Sequence, residues 1–192
     1  MDTLNRYACV LSVIKSLQKT TEKVNETKIQ KTMFFIEEIF PEIDVYEFIM
    51  YKYGPFSFDL RDDLGHMVAK KFLRTIDREP YGTQISEDDL SKQLEMQYSE
   101  NYLKIKPYSD FIAEKIGGKG IHDLEAIGTA LFIIQIKDKE IQNITLQNKI
   151  KLFDIFKPHI DEKIAIDAIE EVKTILEEAE KLKIVIEKNT EV

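Results

Sequence analysis

Apolar residues recur at helical spacing in two segments near the start of the chain. The first forms a single stripe, followed by the polar run 19–26, and its members are Leu4, Tyr7, Ala8, Leu11, Ile14 and Leu17. In the second, Asn25 is a suitable N-cap and Pro41 prevents continuation. Its apolar face holds Ile29, Met33, Ile36 and Phe40. The pattern predicts two amphipathic helices that pack by these faces.

The pattern then changes from helical to strand-like. Residues 45–53 hold four aromatic and two β-branched side chains in nine positions, which favours a strand. Gly54 and Pro55 are expected to break it, and Ser57 is placed to cap a third helix, 57–71. Two strand-like runs around a turn-rich spacer then predict a hairpin over 72–85.

The order helix, strand, helix and hairpin is that of a winged-helix domain. Beyond a polar segment whose structure the sequence leaves open, helical periodicity recurs in four segments, 107–116, 121–136, 146–156 and 161–183. We therefore predict an α+β, mostly helical fold. It comprises a winged-helix-like part, 1–106, with a polar insert at 86–106, and a helical part, 107–192, packed on the first as one compact unit.

The last helical segment carries a heptad-like apolar seam, formed by Ala168, Val172, Ile175, Ala179 and Leu182. Two heptads are short for an independent coiled coil. Packing within the chain is therefore the first interpretation, and a homodimer through helix 161–183 is the alternative.

Charge and cysteine content limit the function classes. The net charge is −8, and neither half is basic: residues 1–120 carry 17 basic and 20 acidic side chains, and residues 121–192 carry 10 and 15. Nucleic-acid binding would therefore depend on a local basic patch. A single cysteine, Cys9, and the lack of a signal-peptide pattern lead us to expect a cytoplasmic protein. The apolar run 126–136 is too short to span a bilayer.

Three short strings carry a family resemblance: Lys28-Ile29-Gln30-Lys31, Met33-Phe34-Phe35-Ile36 and, above all, Tyr53-Gly54-Pro55-Phe56-Ser57. They resemble the YwgA-like proteins of bacteria and archaea, which are similar to a wider group that includes the SocA-type antitoxin domain, often called Panacea. The resemblance is clearest over residues 28–85. It implies a winged-helix interaction module rather than an enzyme, and the wider group suggests an antitoxin-like or defence-associated regulatory role.

The aromatic turn is the candidate surface for a protein partner, because aromatic side chains on a rigid turn anchor interfaces well. Its candidate residues are Tyr51, Tyr53, Gly54, Pro55, Phe56 and Ser57. A purely architectural interpretation competes strongly, since Gly54 relieves the φ restriction, Pro55 fixes the turn and Ser57 caps a helix.

A basic group at the end of the third helix and on the hairpin is the alternative site, at which a DNA-binding regulator would contact phosphate. Its members are Lys70, Lys71, Arg74 and Arg78. Acidic neighbours would repel phosphate or pair with these cations. They are Asp62, Asp63, Asp77 and Glu79.

Other patterns predict little chemistry. Gly117-Gly118-Lys119-Gly120 suggests an anion nest, but it lacks the full phosphate-loop signature, and a helix end with a tight loop explains it better. The three histidines have no partner at zinc spacing, and an Asp62–His66 dyad lacks a nucleophile. We therefore expect no metal, no cofactor and no catalytic residue, and rank a cryptic enzyme site third.

Overall fold

The computed structural model describes residues 1–78, 82–137 and 145–190, which fold into helices and two short antiparallel hairpins. The helices are α1 Thr3–Gln18, α2 Glu26–Ile39, α3 Phe58–Ala69, α4 Ser91–Gln97, α5 Ser99–Ile116, α6 Ile121–Phe132, α7 Leu146–Phe156 and α8 Glu162–Thr190, with a π-helical segment Ile133–Lys137 after α6. The strands are β1 Ile49–Tyr51, β2 Gly54–Phe56, β3 Leu73–Arg78 and β4 Gly82–Glu87. The α+β, mostly helical fold class is confirmed.

The contacts divide the chain into two compact units, Met1–Leu124 and Glu125–Val192. In the first, α1 is the central element and packs on α5, α2 and α4. Its predicted apolar stripe is buried from Tyr7 to Leu17, as is the predicted face of α2. Both faces thus form part of the apolar core, as their helical periodicity predicts.

The predicted strand 45–53 is wrong in extent, and so is the expectation that Gly54 and Pro55 break it. Only Ile49–Tyr51 is a strand, and it pairs antiparallel with Gly54–Phe56 in the register Ile49↔Phe56. Gly54 has φ 89°, which lets the chain reverse after two residues at little steric cost. Pro55 is tolerated because a two-stranded hairpin needs few backbone N–H donors.

The second hairpin is confirmed. β3 pairs with β4 in the register Leu73↔Glu87 to Arg78↔Gly82. The backbone N–H of Ile85 also donates to the carbonyl of Val24 at 2.8 Å, which ties β4 to the segment before α2.

The polar insert is partly helical. It contains α4, and α5 begins at Ser99 rather than at Pro107 as predicted, so the proposed boundary at residue 106 lies within a helix. Pro107 removes only one backbone donor, while the burial of Tyr102, Ile105 and Ile112 stabilises the helix on both sides of it. Residues 107–124 thus belong to the first compact unit. That the two predicted parts pack as one unit stays a prediction.

The second unit contains α7, α8 and most of α6. Val172 and Ala179 of the predicted seam are fully buried within the single chain, and Leu182 is half-buried. Phe153 of α7 and Ile169 of α8 are also buried. The seam is therefore covered without a second copy of the chain, and the homodimer stays a prediction.

Among the helices that the structure describes, none combines the length and the apolar content needed to cross a membrane.

Candidate functional site at the aromatic hairpin

Two of the strings that carry the family resemblance meet in space through Gln30 and Ser57. The backbone N–H of Ser57 donates to Gln30 Oε1 at 2.9 Å, and Gln30 Nε2 donates to the carbonyl of Ser57 at 2.9 Å. Both residues are 1% exposed. The side-chain amide thus satisfies both backbone groups of Ser57, as a neighbouring strand would.

Ser57 also begins α3 as predicted. Its Oγ accepts the backbone N–H of Leu60 at 3.3 Å, and its own backbone is extended. Since the side chain caps the helix and the backbone binds Gln30, Ser57 is a structural position. Gly54 and Pro55 are buried in the same way, so three of the six candidates for partner contact present no exposed side chain.

Lys31 holds the strand β2 two residues before Ser57. It is 2% exposed, and its Nζ donates to the carbonyl of Pro55 at 2.7 Å. Lys28, one turn earlier, is also buried and donates to the carbonyl of Lys119 at 2.7 Å and to that of Gly117. Burial lowers the pKa of Lys28. Three polar side chains of α2 therefore hold the backbone of two loops.

Sequence reasoning assigned these polar residues to no role, because helical periodicity marks only the apolar face of α2. The available signal was that three long polar side chains lie beside apolar positions in Lys28-Ile29-Gln30-Lys31, the string that carries the resemblance. Buried polar groups require partners, so such a string predicts side-chain hydrogen bonds to the backbone of a neighbouring element.

Three aromatic rings pack on the outside of this scaffold. The ring centroids of Tyr51, Phe56 and Phe58 lie 5.1 to 5.7 Å apart. Tyr51 is 51% exposed and Phe58 is 40% exposed, while Phe56 is half-buried. Tyr53, at the hairpin tip, is 60% exposed. We call Tyr51, Tyr53, Phe56 and Phe58 the aromatic surface; Phe58 was not among the sequence candidates.

A pocket of about 220 Å³ opens between the aromatic surface and α2. Its lining combines aromatic rings with the polar side chains at the start of α2: Glu26, Thr27, Gln30, Lys31, Tyr51, Tyr53, Gly54 and Phe56. Glu26 is half-buried, and burial raises the pKa of its carboxyl group, while the positive charge of Arg61 acts in the opposite direction. The pocket is thus mainly apolar, and its lining includes one partly buried acidic residue.

The candidate nucleic-acid residues lie about the end of α3. Lys70, Lys71 and Arg74 are exposed, and Arg74 Nε donates to Ser86 Oγ at 3.1 Å. Lys71 has φ 59° where α3 ends, a left-handed position that glycine usually occupies. The side chain of Arg78 lies outside the described residues.

Of the described acidic neighbours, Asp63 is withdrawn from the surface, whereas Asp62 and Asp77 are exposed. Asp63 is 4% exposed; its two oxygens accept from Arg6 at 2.8 and 3.1 Å, and Oδ2 also accepts from Tyr46 Oη at 2.9 Å. Asp62 Oδ1 accepts from Arg61 rather than forming the suggested dyad with His66. Asp77 accepts from Thr83 Oγ1 at 2.7 Å. Glu79 lies outside the described residues. Asp63 is therefore a core residue that positions α1 and α3.

The carbonyl groups of Gly117 and Lys119 in the glycine loop accept from the ammonium group of Lys28. The N–H of Gly117 donates to the carbonyl of Ala113, and that of Lys119 donates to the carbonyl of Ile116, so two amides of the suggested nest are already used. The helix end and tight loop favoured from sequence is the arrangement observed.

Burial raises the pKa of the Cys9 thiol to about 12, so it is not an activated nucleophile. Within the part of the chain that the structure describes, no group of three or more His, Cys, Asp or Glu side chains is arranged to hold a metal ion.

No known protein family has a model that matches this chain, and no curated protein matches it at a significant level. The site must therefore be interpreted from its own geometry.

Replacing Gln30 by leucine tests the two hydrogen bonds between Gln30 and the backbone of Ser57. The change keeps an apolar stem but leaves the buried N–H of Ser57 without its partner and its carbonyl with only the N–H of Arg61, at 3.2 Å. We therefore expect a loss of about 2 kcal/mol in the free energy of unfolding. Chemical denaturation measures it. Thr27→Leu, at a half-buried position one turn earlier, is the matched control and should change stability by less than about 0.5 kcal/mol. Equal effects of the two changes would contradict the role of Gln30.

Proposed function

We propose that this chain is a non-enzymatic, winged-helix-like protein-interaction module that binds its partner through the aromatic surface. The observation that carries the proposal is the exposure of Tyr51 and Tyr53 on the hairpin β1–β2 and of Phe58 at the start of α3. Gln30 and Lys31 hold the backbone that joins the two elements. Exposed aromatic side chains are enriched among residues that anchor interfaces, and a rigid support reduces the entropy lost on binding.

The sequence resemblance suggests what kind of role the interaction has. A similarity to YwgA-like proteins and to the SocA-type antitoxin domain suggests a regulatory role of the antitoxin-like or defence-associated kind. The two resembling strings that meet at Gln30 and Ser57 support and shape the aromatic surface. We propose that the module acts in the cytoplasm, where it controls the activity of a second protein by binding it.

Affinity purification with matched variants tests the proposal. Tagged wild-type protein from its native cells is expected to retain a stoichiometric partner, and Tyr51→Ser/Tyr53→Ser is expected to reduce recovery at least tenfold, about 1.4 kcal/mol of binding free energy. The control variant Met96→Ser/Leu103→Ser removes two other exposed apolar side chains, which are 78% and 62% exposed. This variant should retain the partner. Circular dichroism checks that each variant folds. Retention of the same partner by the tyrosine variant would reject the aromatic surface.

The alternative function is a DNA-binding regulator that uses α3 and the hairpin β3–β4. The exposure of Lys70, Lys71 and Arg74 around the end of α3 favours it. The exposed side of α3 also carries Asp59 and Asp62, which oppose approach to phosphate. Reversing the charges of Lys70, Lys71, Arg74 and Arg78 should abolish salt-sensitive DNA binding if this function is correct; unchanged affinity would exclude this surface.

A further inference from the structure

The pocket beside the aromatic surface has a chemistry that the proposed function leaves unspecified. Its lining includes Glu26, which is half-buried, together with Tyr51 and Tyr53, which are exposed. A flat apolar contact needs no such carboxyl group, and Glu26 is partly desolvated where it stands. A suitable ligand would therefore pair with a carboxylate and also pack against aromatic rings.

We propose that the pocket receives one basic side chain, a lysine or an arginine, of the partner protein. The cationic head would pair with the Glu26 carboxylate, and the aliphatic stem would lie against the rings of Tyr51 and Tyr53. This inference rests on the proposed function, because it names the anchor by which the partner binds the aromatic surface.

The electrostatics of the lining favour a cation. Burial makes the ionised form of Glu26 costly, and an incoming positive charge would offset part of that cost. The other charged lining residue, Lys31, donates its ammonium group to the carbonyl of Pro55 and is 2% exposed. The positive charge of Arg61 already offsets part of the cost of ionising Glu26, although its Nε and Nη2 bond to Asp62 at 2.9 and 2.7 Å.

The aromatic rings suit the same ligand. The faces of Tyr and Phe rings attract ammonium and guanidinium groups within about 6 Å. This chain already uses that attraction at the hairpin: Lys52 Nζ lies 5.2 Å from the centroid of the Tyr53 ring, and Arg61 Cζ lies 5.1 Å from that of Phe58. A partner's basic side chain would find the same type of contact in the pocket.

The volume of the pocket and the net charge of the chain further limit which ligands the pocket can accept. A volume of about 220 Å³ is below that of pockets which enclose a whole small-molecule ligand, roughly 300–1,000 Å³, but it accommodates one long side chain. The net charge of −8 would also speed the approach of a basic partner surface.

A titration followed by NMR tests the anchor without requiring the partner. The full ¹⁵N-labelled chain is titrated with the peptide acetyl-Gly-Lys-Gly-amide, and the amide signals of Thr27 and Gly54 are followed. We expect the peptide to shift these signals in a saturable way. Binding to Glu26→Gln should be at least fivefold weaker, and a peptide whose lysine is acetylated should cause no saturable shifts. Glu22→Gln, an exposed change of equal charge outside the pocket, should bind like the wild type.

Several outcomes would overturn the proposal: no saturable binding, equal binding of the acetylated peptide, or an unchanged affinity of Glu26→Gln. The purified partner separates this inference from the proposed function. If the partner is lost from Tyr51→Ser/Tyr53→Ser but retained in full by Glu26→Gln, the aromatic surface stands and the basic anchor is wrong. Selective peptide binding to a chain that purifies without any partner would instead support the pocket and reject the proposed function.

Discussion

Gly117→Ala is expected to lower the free energy of unfolding by about 3 kcal/mol, the cost of forcing an added methyl group into a filled core. A Cβ at this position would overlap Thr20 Oγ1 and would lie 2.5 Å from the Ala113 carbonyl oxygen and 3.2 Å from Leu17 Cδ2. The carbonyl cannot move away easily, because it accepts the N–H of Gly117 at 2.8 Å. Thermal denaturation should show a melting temperature lower by roughly 10 °C.

Gly118→Ala is the matched control. No atom lies within 4 Å of a Cβ added there, and its φ is not in the left-handed region. We expect a change within about 1 kcal/mol, and in the stabilising direction, since alanine restricts the unfolded chain. If Gly117→Ala remains within about 0.5 kcal/mol of the wild type, the close approach of α1 to this loop is wrong.

The effect of Gly117→Ala should extend to the candidate site. Its carbonyl accepts from Lys28, which stands on the same helix as Gln30 and Lys31. A displaced loop would leave the buried ammonium group of Lys28 with fewer acceptors, which is costly in an apolar environment. The sequence marks Gly117 only as a loop residue; two of the three groups that a Cβ would meet belong to Leu17 and Thr20, about a hundred residues earlier.

Local signals in the sequence predicted much of the fold. The caps at Asn25 and Ser57 are correct because each depends on one side chain and a backbone N–H three residues later, Lys28 and Leu60 respectively. The hairpin β3–β4 is correct for the same reason, since turn residues between two strand-like runs are neighbours in sequence.

Errors arose where a distant contact overrides a local preference. Residues 45–48 have strand composition, yet Glu37 Oε2 of α2 accepts the N–H groups of Val45 and Tyr46 at 3.2 and 3.0 Å. Those donors are thereby satisfied without a neighbouring strand. Asp63 was likewise assigned to the surface, because nothing local reveals that Arg6 and Tyr46 bind it.

The candidate site likewise combines features that the local sequence indicates with features that only distant contacts create. The sequence offered Tyr51, Tyr53 and Phe56 as contact residues; Tyr51 and Tyr53 are exposed, and Phe56 is half-buried. The pocket, in contrast, needs Glu26, which is far in sequence from the hairpin and ordinary in type for the first turn of a helix. Only the fold brings that carboxyl group beside the rings, so a chemical preference for a basic side chain could not be predicted from spacing.

A buried ion pair in the second unit provides the other large effect. Lys157 Nζ lies 2.8 Å from Glu125 Oε1, and their side chains are 2% and 5% exposed. Lys157→Met should lower the free energy of unfolding by about 3–5 kcal/mol, because it leaves a buried carboxylate without its main cation. His159, whose Nε2 lies 3.5 Å from the same oxygen, is 59% exposed and is a poor substitute. Urea denaturation of the full chain measures the loss.

The double variant Glu125→Leu/Lys157→Met distinguishes a lost ion pair from a packing defect. Replacing both charges by apolar groups of similar size is often neutral or stabilising, so most of the loss should be recovered. Lys163→Met, at an exposed position of α8, is the matched control and should change stability by less than about 0.5 kcal/mol. If the double variant is no more stable than Lys157→Met, the cost comes from the shape of the methionine side chain rather than from an uncompensated charge.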